Sequence, residues 1–352
     1  MKILNLGLLF LLQANCIFVL GSPELRALSK APAQQTNCVR IYYDAVIGND
    51  FFAYNKGISR PNEWQYLDKI LQEHNFHLEV TNKFTPQVFK SSAKIICCNI
   101  PRGIKGGQYH FPFPHQSTAI LIAFEPSFSI PELYSKDTHR HFHKVLTWDD
   151  TLIDNKKLVK FHYPVFKPMI ESIPSFSEKK LLTLIASNIY WPHQNGLYVE
   201  RLEVVEYFEN KQSRDFDFYG RGWPANKYRN YKGAPADKIS VLQNYKFNIC
   251  YENTKGLPGY ITEKIFDCFA AGCVPIYLGA SNVRKFIPEN CFIPRENFSS
   301  LDELVDFLQK MDEPTYNQYL QNIRNFLQTE QAKKFSKEAF AQVVLQALEI
   351  PD

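Results

Sequence analysis

Residues 244–280 read NYKFNICYENTKGLPGYITEKIFDCFAAGCVPIYLGA, and their pattern decides the fold. The apolar run Phe247 to Cys250 predicts a buried strand. It gives way to a polar loop carrying Gly256, Pro258 and Gly259, and a helix opens at Thr262-Glu263-Lys264. Ile261, Ile265 and Phe269 recur at the four-residue spacing of one helix face. Gly272 stands where that helix stops, and Cys273 to Leu278 resumes as a strand. Strand, loop, helix and strand make a βαβ unit, which takes its ligands at the loop after the first strand. Lys264 is out of place in such a unit. A helix N-terminus is already positive, so a first-turn lysine predicts a bound anion there, of the phosphate kind.

Outward from this segment the alternation continues in both directions. Strands are predicted at Cys38 to Tyr43, Lys94 to Ile100, Ala119 to Phe124, Leu181 to Ala186 and Phe216 to Tyr219. Helices are predicted at Asn62 to His74, Leu197 to Phe208 and Ala236 to Gln243, with a helical C-terminus from Leu301. A proline-punctuated crossing, Pro164 to Pro174, separates two βα sets. The fold class is therefore α/β, with two Rossmann-like domains at 37–168 and 171–350 facing a cleft. The chain of 352 residues is long enough for two cores. Its 45% hydrophobic and 22% charged content describes a folded protein. A net charge of +4 without a basic stripe excludes a nucleic-acid partner.

The spacing Y-x-F-x-x-x-x-E-N-T, G-Y-I-T-E-K and A-G-x-V-P-I-Y-L-G resembles the signature of the α1,3-fucosyltransferases, glycosyltransferase family 10. Tyr245, Phe247, Glu252, Asn253, Thr254, Tyr260, Thr262 to Lys264, Ala271, Gly272, Val274, Pro275 and Gly279 carry the match. The resemblance implies a GT-B architecture and an inverting transfer of L-fucose from GDP-β-L-fucose. The implied acceptor is an N-acetylglucosamine-containing glycan, fucosylated with an α-linkage at O3. It implies a general base in a strand-end loop like Phe124-Glu125-Pro126-Ser127, with Glu132 as the competing carboxylate. Glu263 would act at the reacting sugar, and Arg229, Asn253, Tyr260 and Lys264 would hold the donor. Arg229 is preferred over Arg221 of YGRGW as the diphosphate's guanidinium. No metal is required, manganese being at most stimulatory. A transferase for another nucleotide sugar, or a glycan-binding homologue without catalysis, is the alternative.

Other motifs read as structural. Asp215-Phe-Asp217 has the form of a metal-binding D-x-D but sits inside a predicted strand. His139, His141 and His143 alternate, so a strand would put all three on one face, where they could hold a transition metal; a polar loop or edge is the preferred reading. Gly103-x-x-Gly106-Gly107 lacks the remaining glycine of the G-x-G-x-x-G spacing and the downstream acid of a dinucleotide site. The eight cysteines include no C-x-x-C pair and read as small buried hydrophobes rather than a disulfide framework or a structural zinc set. Residues 3 to 20 carry no charge, so segment 1–22 is expected to be a membrane anchor or signal. In a eukaryote this implies a type II Golgi protein, with Asn297-Phe-Ser299 as a glycosylation sequon; in a bacterium, the cytoplasm or the cytoplasmic side of the membrane.

Overall fold

The computed structural model describes residues 37–43, 63–90, 92–100, 111–113, 117–189 and 193–351. The expected segment at 1–22 and the glycines at 103–107 lie outside these residues. Among those described, no helix is long and apolar enough to cross a membrane.

The first half carries β1 (Cys38–Tyr43), α1 (Glu63–Glu73), β2 (His77–Thr81), α2 (Pro86–Phe89), β3 (Lys94–Cys98), β4 (Thr118–Ala123), α3 (Lys136–His139), β5 (Lys144–Thr147) and β6 (Leu158–Lys160). The second carries β7 (Lys180–Ile185), α4 (Tyr198–Asn210), β8 (Phe216–Tyr219), α5 (Lys238–Leu242), β9 (Tyr245–Tyr251), α6 (Glu263–Ala270), β10 (Val274–Leu278) and β11 (Ile293–Pro294). Helices α7 (Leu301–Lys310), α8 (Glu313–Leu327), α9 (Glu330–Lys333) and α10 (Lys337–Ala347) follow.

These strands form two parallel sheets, ordered β2-β1-β3-β4-β5-β6 and β11-β10-β9-β7-β8. Strand order reverses once in each, between β1 and β3 and between β7 and β9. That reversal opens a crevice at the carboxyl ends of the strands, where open α/β sheets bind ligands. Apolar runs such as Lys94-Ile-Ile-Cys-Cys98 follow from a sheet covered on both faces. Ile95 and Cys97 enter one core cluster, while Ile96 and Cys98 enter another.

Gly272 ends α6 with φ +61°, the left-handed conformation that a glycine adopts without strain. A Cβ there would stand 2.4 Å from Ile173 Cδ1. The first turn of α6 is built around Thr262, whose side chain makes no capping bond to the helix. Helix α6 is also buried more widely than one apolar face predicts, from Ile265 through Ala270 and including Asp267. A buried ion pair between Lys167 and Asp267, 2.6 Å apart, accommodates that carboxylate.

The two sheets share more packing than a division at 168 and 350 implies. Helix α10 returns to the first sheet, placing Phe340, Val344, Leu345 and Leu348 in the same core cluster as Val39, Leu67 and Ile96. The first core is thus completed by the last helix of the chain. Tyr260, from the loop after β9, is buried there too, with its ring 4.7 Å from Trp148. Beside it Gly259 has φ +88° and lies so close to the first sheet that a Cβ would stand 2.2 Å from Trp148 O. Asn282 bridges the same junction, donating to Asp150 Oδ2 at 2.6 Å and accepting from the Gly259 amide at 2.8 Å.

His162, after β6, is packed against Phe286 and Phe335 with ring separations of 5.3 and 4.7 Å. Burial, helped by the neighbouring Lys160 charge, holds its pKa down at about 3, against an ordinary 6.5. The native state therefore refuses a proton that the unfolded chain accepts. This contribution to stability is complete above pH 6.5 and is lost as pH falls towards 3, at up to about 1.4 kcal/mol per pH unit. His162→Phe is expected to flatten the fall in Tm across this window. Equal slopes in the two proteins would show that the imidazole protonates freely in the native state.

Candidate active site

A cavity of about 390 Å³ lies at the β7/β9 reversal of the second sheet. Ile185 and Gly220, Asn253 after β9, and the first turns of α4 and α6 converge on it. Five cations line it (Lys167, Arg201, Arg221, Lys238 and Lys264) against two carboxylates, Glu263 and Asp267. Two helix N-termini add their positive ends. The volume and the charge suit an anionic ligand the size of a nucleotide.

A second cavity of about 240 Å³ adjoins it and reaches the first sheet. Tyr43, Trp64, Phe124 and Glu125 contribute from the first sheet's side, and Tyr260 and Thr262 from the second's. Asn253, Glu263 and Lys264 line both cavities, so the two are parts of one cleft.

Lys264 already has an anion beside it, though not a ligand. Its Nζ lies 3.2 Å from Glu252 Oε2, and that carboxylate is fully buried. Glu252 also accepts from the Thr262 amide at 2.8 Å and from the Thr262 hydroxyl at 2.6 Å. The expected phosphate is therefore not needed to explain the lysine in the first turn. Burial pulls the Lys264 ammonium down, but Glu263 and Glu252 outweigh it and hold its pKa above the ordinary lysine value. The lysine stays charged on the cavity wall.

Asn253 is anchored by Arg201, which donates to its Oδ1 at 3.1 Å and to the carbonyls of Tyr251 and Glu252 at 2.7 and 2.6 Å. Arg201 went unnoticed in the sequence because it sits inside a plain helix. A signal was present: Arg201, Val204, Val205 and Phe208 fall on one face and all are buried. An arginine within an apolar helical stripe is costly to bury and marks a functional or structural demand.

Arg229 is not in the cleft. It is half exposed and lies 3.7 Å from Glu209, in the last turn of α4. Arg221, the rival considered above, lines the large cavity instead. The reason is conformational. The bend after β8 keeps Gly220 and Arg221 at the strand's carboxyl end, whereas Asn230 to Lys232, just after Arg229, runs parallel beside β8 at Phe218.

Glu125 stands at the carboxyl end of β4 on a backbone held from several sides. Asn99 Oδ1 accepts from the amides of Phe124 and Glu125 at 3.0 and 3.3 Å. Trp148 Nε1 donates to Phe124 O at 3.0 Å, the Tyr163 hydroxyl donates to the same carbonyl, and Tyr134 donates to Glu125 O at 2.8 Å. Phe128 of this loop stacks on His193 at 4.7 Å, joining it to the loop after β7. Glu132, the competing carboxylate, lies in a short 3-10 turn and lines neither part of the cleft.

The remaining motifs settle elsewhere. Asp217 is neutralised by Lys180 at 2.7 Å and Lys232 at 3.1 Å and accepts from Tyr245, and Asp215 accepts from Gln309. Neither faces the cavity. The three histidines do not share a strand face. His139 ends α3 with Nε2 2.7 Å from Leu133 O, His141 stacks on Phe111, and His143 lies 3.1 Å from Glu349. The seven described cysteines are buried and unbridged.

Against known proteins, residues 176–347 match the C-terminal domain of glycosyltransferase family 10 (fucosyltransferase). Residues 176–347 are a family 10 C-terminal domain. Among the relatives of this domain, an α-(1,3)-fucosyltransferase of Helicobacter pylori is 40% identical over 73 residues, 21% of this chain and 15% of the relative. The mouse 4-galactosyl-N-acetylglucosaminide 3-α-L-fucosyltransferase 9 is 31% identical over 147 residues, 41% of this chain and 36% of its own. The chain thus matches well under two thirds of these curated relatives. A crystal structure of an α1,3-fucosyltransferase with GDP superposes with a TM-score of 0.53 at 16% identity, covering 92% of this chain and 94% of the other. A DNA-modifying β-glucosyltransferase gives 0.53 at 13% identity, covering 89% and 99%. The fold is GT-B.

Proposed function

We propose that this protein is an inverting fucosyltransferase that moves L-fucose from GDP-β-L-fucose to a glycan hydroxyl, O3 of an N-acetylglucosamine unit. The observation that carries the reading is the single cleft in which a cation-lined cavity meets a carboxylate from the opposite sheet. In this reading Glu125 takes the proton from the acceptor hydroxyl as its oxygen attacks the fucose C1 from the face away from GDP. The bond to the diphosphate breaks, and Lys264, Arg201, Arg221 and the α6 N-terminus stabilise the charge left on it. Glu263, lining both cavities, faces the positive charge that develops on the sugar ring. Asn253 orients the donor, and Tyr260 forms an aromatic wall.

The donor assignment is tested by thermal shift. GDP is expected to raise Tm far more than UDP, by the equivalent of about 2.7 kcal/mol at a hundredfold excess over Kd. The shift and turnover are both expected to survive chelator, since protein cations can neutralise the diphosphate. Equal shifts from both nucleotides would indicate another nucleotide sugar. Absence of either shift would favour a homologue without donor chemistry, and chelator-sensitive turnover would return a metal to the reaction.

The two arginines separate in the same assay. Arg221→Ala is expected to weaken GDP about tenfold to a hundredfold, the value of one charge-assisted hydrogen bond. Arg229→Ala should leave GDP affinity within about twofold, as for a solvated surface ion pair. The reverse ranking would mean that the segment around Arg229 swings into the cleft when the donor binds.

A further inference from the structure

At the other end of the first sheet, away from the cleft, the parallel pairing of β1 with β2 sets Cys38 opposite His77 and Arg40 opposite Glu79. The alternation of side chains along each strand then puts all four residues on one face. The Cys38 thiol, a His77 ring nitrogen and a Glu79 carboxylate oxygen lie within 4.8 Å of one another. His77 Nε2 and Glu79 Oε1 are 3.3 Å apart. That is the edge of a tetrahedron with bonds of about 2.0–2.1 Å, the length of zinc bonds to nitrogen and oxygen.

We propose that Cys38, His77 and Glu79 form a binding site for zinc or a similar borderline-soft divalent ion, with water completing the tetrahedron. The ion takes the place of the proton shared between His77 and Glu79, and the Cys38 thiol gives up its proton to become the thiolate ligand. One thiolate, one imidazole and one carboxylate match the ligand set this class of ion prefers. His77 and Glu79 are about half exposed, with side-chain accessibilities of 45% and 46%, so their rotamers can close the remaining distance. Cys38 is buried and fixed by the strand. Arg40 donates to Glu79 Oε2 and to Val88 O, which turns Oε1 towards His77 as an outer partner orients a ligating carboxylate. Its positive charge opposes a dication, but the thiolate and carboxylate together outweigh it. No C-x-x-C spacing announces the site, because its ligands meet across two strands. It would clip β2, the edge strand, to the start of β1, a structural role remote from the transfer chemistry.

The test is a cobalt(II) titration of the full chain after chelator treatment and dialysis. One equivalent is expected to produce a thiolate-to-cobalt absorption band that zinc abolishes by displacement. Cys38→Ser should lose the band, while Cys16→Ser keeps it. His77→Ala and Glu79→Gln should each weaken cobalt and zinc at least tenfold, since even an outer-shell partner is worth about 10–100-fold. These two residues are exposed, so their variants decide the matter if Cys38→Ser does not fold. A band that survives Cys38→Ser or disappears in Cys16→Ser would overturn the site. Unchanged affinity in both His77→Ala and Glu79→Gln would do the same.

Discussion

Glu125→Gln is expected to lower kcat by ~10² to 10⁴, the usual value of general-base assistance, while leaving GDP affinity and Tm nearly unchanged. Glutamine keeps the size of the side chain but has no basic lone pair for the acceptor's proton. The separation of effects follows from the cleft. Glu125 belongs to the part that reaches the first sheet, and the cation-lined cavity is built by the second. The loop should hold its shape in the variant, because Asn99, Trp148, Tyr163 and Tyr134 all bond to its backbone and none needs the carboxylate. Parallel loss of GDP binding would mark Glu125 as structural. Unchanged kcat would move the base to another cleft carboxylate, with Glu63 and Glu263 as the lining candidates.

Lys264→Ala should have the second largest effect, and on two properties at once. Removing a cation that faces a leaving diphosphate is expected to cost ~10- to 10³-fold in kcat/KM. It also strips the buried Glu252 of its ammonium partner, and breaking a buried pair costs about 3–5 kcal/mol. The double variant Lys264→Met with Glu252→Gln separates these contributions. It removes both charges from the buried site and should recover most of the stability while activity stays low. If activity returned together with stability, Lys264 would serve only to support Glu252, and the diphosphate role would fall to Arg201 and Arg221.

Much of the second domain was legible because its signals are local. The apolar run of β9, the polar loop, the opening of α6 at Glu263 and the stop at Gly272 each depend on residues a few positions apart. Family resemblance drew on the same segment. Less legible was β2, whose residues are only half-buried and so lack a strong apolar pattern. The three histidines lie at the end of a short helix and in the turns after it, as the preferred loop reading has them, and not on one strand face.

By itself the sequence determined two α/β units, the βαβ signature, the lysine at the start of its helix and the carboxylate ending an apolar strand. Such features are written in periodicity and in single residues whose chemistry disagrees with their surroundings. Only the tertiary structure decided that Arg221 rather than Arg229 faces the cleft, that Arg201 lines it from a buried helix face, and that Lys264 is paired with Glu252. It also decided that α10 completes the first core and that Tyr260 is buried in it. Each of these depends on contacts between residues far apart in the chain. The energy of burying a charge or closing a core depends on which distant partner arrives, and local pattern carries no record of that partner.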